Sequence, residues 1–447
     1  MDISGPWPRY PEAATFFENL LADFTAANPA VAQLAQRFYE HAGVQLLHLV
    51  DHWELPEGAV SPEQLTAYGL TEQSTSEGDR FWKHPGARLP SVRFSSSRTF
   101  PCLAVRVEDV PLFLQQNALS TAASEGDPYS CYAYARVALP QGELVPVARR
   151  GYAGYRPGVL SDAERKQIEE ARQAFRDRNR EGDDIAVTRH TQALFRSVAD
   201  TVGRDRAVEE FFAAERDYWM QRNRAGQWQY QRQQELGIGW ANHDHHTYRS
   251  SRAAFRTLME LWHTLGFVPR ERFYAGVEAG WGAQVLEHAI CRIILFCDLD
   301  IAPEELDIDF AQTDLPERDT LGTIGLWCAL HGGSIAKAGL HHLEAEFDFA
   351  RATALHQEIT GGVMPPFTDL PVLKQAFTRP EIWPVSPERV EALQARGLIT
   401  AEQADRFRTQ GAAGSHLEIL QRWEGFKGFN KTGVSQIILQ TDARRCA

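Results

Sequence analysis

The sequence predicts an α+β fold built from tandem β-α-β-β modules with added helical segments. Two alternating segments, HDHHTYR from His243 and LHHLEAEF from Leu340, have the period of half-buried strands. Each is followed by a helical pattern, SRAAFRTLMELWHTLG and DFARATALHQEI, and then by further strand-like stretches. The order recurs more loosely the second time, which indicates a duplicated fold.

The elements follow along the chain. From Pro11 to Phe24, the residues Phe16, Phe17, Leu20, Leu21 and Phe24 share one helical face. VQLLHLVDHWEL, RLPSVRF and FPCLAVRV suit strands, and CYAYARVALP and ELVPVARRGY form a hairpin around Gln141-Gly142. The stretch from Phe100 to Leu114 reads as the remnant of a further module. SDAE at Ser161 is a capping box, and charged helical periodicity continues to about Gln234, where GIGW ends it. Beyond the two opening strands, VPRERFYAG, AQVLEHAICRIILFCDL, PVLKQAF and SHLEILQRW are strand-like. These breaks divide the chain into an N-terminal α+β region (1–160), a charged helical connector (161–235) and a pair of modules (236–447), with the N-terminal region expected to serve as a degenerate extra module or a lid.

The chain has 447 residues, with 43% hydrophobic and 23% charged, ample for packed cores in more than one domain. A net charge of −13 argues against sequence-independent nucleic-acid binding, which needs surplus Lys and Arg. MDISGPWPRYPEAATFF has neither a basic start nor a long apolar run, and no stretch has the roughly 20 apolar residues of a membrane span, so a cytoplasmic protein is expected. The six cysteines, Cys102, Cys131, Cys291, Cys297, Cys328 and Cys446, form no CxxC and read as reduced thiols, with Cys297 packing in a core strand. Glycine turns lack phosphate-loop spacing, no G-x-S-x-G elbow is present, and the arginine–aromatic run RDYWMQRNRAGQWQYQRQQ reads as helix packing.

The chemistry concentrates in ANHDHHTYRSSR. Strand alternation places His243 and His245 on one face, with Asp244 and His246 on the other. His341 and His342 open the corresponding strand of the next module. Two neutral imidazoles and one carboxylate on one face are what a non-haem Fe(II) site requires. Two glutamates are candidates for the carboxylate, Glu418 in GSHLEILQRWEGF and Glu287 in GAQVLEHAI.

Several of these segments resemble the vicinal oxygen chelate superfamily, and within it the 2-oxoadipate dioxygenase/decarboxylase family. The similar pieces are DHHTYRS, LGFVPRERF, RIILFCDL, PVLKQAFTRPE, GSHLEILQR and EGFKGFNKTGVSQIILQT, spread over about the last 210 residues. The resemblance implies βαβββ modules paired into a metal-binding half-barrel. It makes His245, His342 and Glu418 the ligands of Fe(II), and Arg249 the residue that grips a substrate carboxylate with a bidentate pair. Gln375 and the turn Lys431, Thr432 and Gly433 would line the substrate pocket. The chain departs from the pattern at LHHLEAEF, where the family carries an Asn-His strand, and in the roughly 240 residues that precede the first ligand. The activity implied is oxidation of a 2-oxo acid with O₂ to a 2-hydroxy acid and CO₂. The alternatives are a Zn- or Ni-dependent glyoxalase-like isomerase or lyase, and a non-catalytic small-molecule-binding protein. No oligomeric state is expected from the sequence.

Overall fold

Alternating apolar residues organise the chain into two separate sheets. The computed structural model describes residues 7–120, 124–316, 318–368, 370–430 and 441–444. The first sheet takes β1 (Val50–Pro56), β2 (Thr71–Ser74), β3 (Arg80–Lys83), β4 (Ser91–Ser95), β5 (Cys102–Arg106), β6 (Ser124–Glu125), β7 (Tyr132–Ala135), β8 (Val137–Leu139) and β9 (Gly142–Arg149). Their order is β2-β3-β4-β1-β5-β9-β7-β6, with β8 also paired to β9. The second sheet takes β10 (His243–Arg249), β11 (Val268–Tyr274), β12 (Trp281–Glu287), β13 (Ile294–Asp300), β14 (His342–Glu346), β15 (Leu373–Phe377), β16 (Glu381–Trp383) and β17 (Ala412–Arg422). Its order is β11-β12-β13-β10-β14-β17-β15, with β16 on β17.

The two sheets share one plan. In the first, β1 runs parallel to β4 and antiparallel to β5, and β5 runs parallel to β9. In the second, β10 runs parallel to β13 and antiparallel to β14, and β14 runs parallel to β17. Each sheet is therefore a pair of β-α-β modules joined at their opening strands, the arrangement expected of a vicinal oxygen chelate half-barrel. The stretch beginning near Phe100 opens the second module of the first sheet, because β5 holds the place there that β14 holds in the other.

Helices cover the sheets. α1 (Pro11–Ala27) and α2 (Pro29–Ala42) come first, and α3 (Pro62–Ala67) and α4 (Val110–Gln116) are the module helices of the first sheet. α5 (Asp162–Arg176), α6 (Asp184–Val202), α7 (Arg204–Met220) and α8 (Arg224–Gln234) fill the connecting stretch. At the start of α5 the Ser161 and Glu164 side chains cap one another's backbone, as SDAE predicts. The module helix of β10 is α9 (Arg252–Thr264), capped by Ser251, which buries Phe255, Leu258, Met259 and Trp262. α10 (Thr323–His331) and α11 (Phe349–Ile359) follow, and α12 (Pro387–Ala395) and α13 (Ala401–Gln410) precede β17. The capping signals of the last two are present in the sequence, as Ser386 before Pro387 and a Thr400–Gln403 box.

Residues 46–49 of VQLLHLVDHWEL form a 3₁₀ turn, so the strand begins only at Val50. The aromatic run from Arg216 packs as expected, with the Arg222 guanidinium 3.9 Å above the Trp383 ring. Cys297 is fully buried in β13. Among the described residues, no helix is long and apolar enough to cross a membrane.

One close approach ties the helical layer to β17. Gly414 donates no side chain because the Trp383 indole lies against its backbone, while its carbonyl accepts from Trp327 Nε1 at 2.8 Å. An added Cβ would collide with that indole. We expect Gly414→Ala to lower the unfolding free energy by about 1–3 kcal/mol through overpacking, measured by urea titration. An unchanged midpoint would show that Trp383 is free to move.

Candidate metal centre

From His245 onward β10 alternates strictly. His246 and Tyr248 turn into the core against Phe212 and Trp262, while His245, Thr247 and Arg249 line a cavity on the other face. His243 does not share that face. The register with β14 slips between His243 and His245, and this bulge breaks the alternation. His243 instead hydrogen-bonds the Trp240 carbonyl at 3.1 Å, with its ring 5.5 Å from that of His246. The expected pairing of His243 with His245 is corrected by that one extra residue.

Register brings three acid or base side chains into line across adjacent strands. His245 on β10 lies opposite Glu344 on β14, and Glu344 lies opposite Glu418 on β17. Their ligand atoms all lie within 4.8 Å of one another. His342, two residues before Glu344 and on the same face, joins them. Its Nε2 is 2.7 Å from Glu344 Oε1 and 3.6 Å from Glu418 Oε2, and His245 Nε2 is 3.3 Å from Glu344 Oε1. The three residues His245, His342 and Glu418 thus converge, with Glu344 in their midst. Glu287 lies elsewhere, paired with Lys427 at 2.7 Å.

The surrounding groups hold these donors in orientation. The Asp244 carboxylate binds His245 Nδ1 at 2.8 Å, leaving Nε2 to face the other donors. Asp244 is itself gripped by Arg422, through two bonds of 3.0 Å, and by Arg88 at 2.9 Å. Gln375 donates to Glu418 at 2.7 Å, and the Thr247 hydroxyl donates to Glu344. Lys431, Thr432 and Gly433 lie outside the described residues.

Burial sets the charges. It lowers the His245 imidazole to about 4 and holds that of His342 well below its ordinary range, so both are neutral near pH 7. Burial pushes the Glu418 carboxyl up to about 8, and burial with the neighbouring Glu418 holds Glu344 well above its usual range. Neither glutamate has a Lys or Arg ion pair among the described residues, and Glu344 Oε2, Gln375 Oε1 and His342 Nδ1 are buried without a hydrogen-bond partner. Two carboxyl groups buried without a cation are costly. A divalent ion would neutralise both, and two neutral imidazoles beside them complete a donor set that fits a transition metal. The residues present therefore fit the metal that the resemblance implies.

Above this cluster lies Arg249, 1% exposed. Its Nε donates to Asp298 at 3.3 Å, and its guanidinium sits 5.4 Å from the Trp327 ring. Nη1 and Nη2 have no hydrogen-bond partner among the described residues. The cavity shared by Arg249 and the donors has a volume of about 50 Å³. Its remaining walls are largely aromatic, from Phe273, Trp281, Phe296, Phe367, Phe377 and Phe429.

Sequence reasoning missed Glu344, although the alternation in HHLEAE puts it on the same face as His342. It also missed Asp298, Arg88 and Arg422, whose partners lie 49, 156 and 178 residues away and left no local signal.

No protein-family model matches this chain, and no curated protein does. Solved structures do show similarity. A protein from Shewanella frigidimarina NCIMB 400, provisionally named as a hydrolase, is 16% identical, covering 49% of this chain and 96% of its own, with a TM-score of 0.33. Methylmalonyl-CoA epimerase from Mycobacterium tuberculosis is 11% identical over 41% of this chain and 88% of its own, with a TM-score of 0.23. A triple mutant of 4-hydroxymandelate synthase from Streptomyces coelicolor is 12% identical over 89% of this chain and 97% of its own, with a TM-score of 0.26. At these values the chemistry rests on the site alone.

The buried histidines also fix a pH response. Burial holds His243 near about 3, whereas an unfolded imidazole titrates near 6.5. Between these values the unfolded chain binds a proton that the folded one refuses, so His243 lowers stability as pH falls through that window. The slope is at most about 1.4 kcal/mol per pH unit. We expect His243→Gln to gain stability relative to the parent protein as pH falls from about 6.5 to about 4, measured by urea unfolding of both proteins. Parallel pH profiles would show that His243 is protonated in the fold.

Proposed function

We propose that this chain is a metal-dependent oxygenase of the vicinal oxygen chelate type, taking Fe(II), O₂ and a short 2-oxo acid and yielding a 2-hydroxy acid and CO₂. The observation that carries this reading is the pairing of two neutral imidazoles and a buried carboxylate with a guanidinium whose two Nη atoms have no partner among the described residues, in the same small cavity. The finer assignment, to a 2-oxoadipate-like diacid in the manner of the resembling family, is part of the proposal.

His245, His342 and Glu418 would hold the iron, with Glu344 as a further carboxylate against it. Bound Fe(II) would supply a chelation site for the 2-oxo carboxylate and a redox-active centre for O₂, with the substrate as the net source of electrons. The chain's own residues do the rest. Arg249 binds a carboxylate through both Nη atoms, and a diacid with one end at the metal would present its other end there. Asp244 keeps the His245 proton on Nδ1 and its Nε2 lone pair free. Gln375 fixes the plane of the Glu418 carboxylate. The aromatic walls exclude water, which strengthens every charge interaction inside.

Glu344 favours a second reading, a Zn- or Ni-dependent isomerase or lyase, because a second carboxylate at the centre suits proton abstraction beside a carbonyl. Anaerobic reconstitution with Fe(II), followed by O₂ uptake with 2-oxo diacids and aromatic 2-oxo acids, separates the two. Uptake with matching CO₂ release supports the oxygenase. Anaerobic turnover with Zn or Ni supports the isomerase, and protein that takes up no metal is a binding protein instead.

Four variants test the roles. His245→Ala is expected to abolish iron binding, and retained metal with full turnover would remove His245 from the site. Comparing iron affinity in His342→Ala and Glu344→Gln identifies the β14 donor, which is expected to show the larger loss for His342. Arg249→Ala is expected to lower kcat/KM by about ten- to hundredfold, matching the loss of a charged hydrogen-bond pair. An unchanged value would place the substrate carboxylate elsewhere.

A further inference from the structure

A much larger space than the candidate metal centre is present elsewhere. It lies between the two sheets, with a volume of about 590 Å³, and continues into a second space of about 310 Å³ through a wall shared by Arg106, His243 and Arg292. A volume of this size is that of a small-molecule site. The geometry points to a second ligand site here, for a small multivalent oxyanion with at least two carboxylate or phosphate groups, held by Lys83, Arg106 and Arg292.

These three cations come from separate elements, β3, β5 and the turn between β12 and β13, and line one cavity, where Arg106 and Arg292 converge on one carboxylate. That carboxylate, Asp51, is already occupied. Arg149 bonds it at 2.9–3.0 Å and His52 at 2.8 Å. Arg292 reaches it only at 3.4 Å and Arg106 at 3.8 Å. The Lys83 ammonium has no ion pair or hydrogen bond among the described residues. Among the other acids of the wall, Glu287 is paired with Lys427 at 2.7 Å, and Asp244 and Glu346 with Arg88 at 2.9 and 3.1 Å.

The crowding registers on the groups themselves. Burial, reinforced by Arg292, lowers Lys83 to about 8 and Arg106 to about 10. Arg292 also has a φ of 56°, a left-handed backbone that a non-glycine residue adopts only under constraint from its surroundings. The Arg292 side chain lies in the wall between the two cavities, where the acid it meets, Asp51 at 3.4 Å, is already held more closely by Arg149 and His52. An anion placed there would relieve the mutual repulsion and accept from three donors.

Isothermal titration of the full chain with pyrophosphate and with citrate, against chloride as control, tests the site. Saturable binding of one ion per chain is expected. Tighter pyrophosphate identifies a phosphate ligand, and tighter citrate a polycarboxylate. Lys83→Gln and Arg292→Asn, the latter chosen because Asn tolerates positive φ, are expected to bind at least about tenfold more weakly, with folding checked by circular dichroism. The bound ion is also expected to shield Lys83 of the unaltered protein from amine acetylation near pH 8, read by mass spectrometry. Absence of saturable binding by either ion, unchanged affinity in both folded variants, or no shielding of Lys83 would overturn the proposal.

Discussion

A single buried carboxylate joins the parts of this protein. Asp244 accepts from Arg422 on the last strand, from Arg88 in the first half of the chain, and from His245 Nδ1 beside it. Desolvation works against its charge, but the two guanidiniums hold the carboxyl well below its usual range. An acid paired in this way stays ionised, whereas one left without partners would be protonated. Its position orders three things at once: β17 against β10, the first sheet against the second, and the tautomer of His245. The geometry of the candidate metal centre therefore depends on packing between the halves as well as on its own sheet.

The same device occurs twice. In the first sheet, Asp51 holds His52 Nδ1 and is held by Arg149, as Asp244 holds His245 and is held by Arg422. The rows differ in what lies beside the histidine. His52 faces Ala104, which faces Val145, whereas His245 faces Glu344, which faces Glu418. Four residues after each histidine stand Pro56 and Arg249. One half thus retains the orienting carboxylate and histidine without the acids that would complete a donor set. That asymmetry confines the candidate chemistry to the second sheet and leaves the first as its structural counterpart.

Within the second sheet, the charges are balanced so that something is still required. Two neutral imidazoles and the Glu418 carboxyl line a small space with Glu344 beside the imidazoles, and a guanidinium end without a partner among the described residues lines it too. Asp298, the partner of Arg249, is itself pushed up to about 7 by burial. The arrangement is strained as a folding solution and sensible as a binding one, since a cation and an anionic substrate would satisfy both halves of it. The cluster around Asp51 presents the opposite sign, with more cations than free acids.

Much of the second half was legible because its signals are local. Period-2 alternation identified HDHHTYR and LHHLEAEF, the 3.6-residue period and Ser251 identified α9, and the spacing from His245 to Arg249 placed both on one face. Gln375 and Glu418 also came to that cavity. His243 was misplaced because a bulge is a one-residue event that leaves no mark in hydrophobic pattern. Glu344 was in view and unremarked, and the partnership of Asp244 with Arg88 and Arg422 was invisible, since it depends on strand order and on the docking of two sheets. The sequence by itself determined which residues could form strands, helices and ligands, because those preferences act over a few positions. Only the tertiary structure decided which strands are neighbours, which carboxylate meets which imidazole, and where several cations crowd a single acid, because these follow from packing across hundreds of residues.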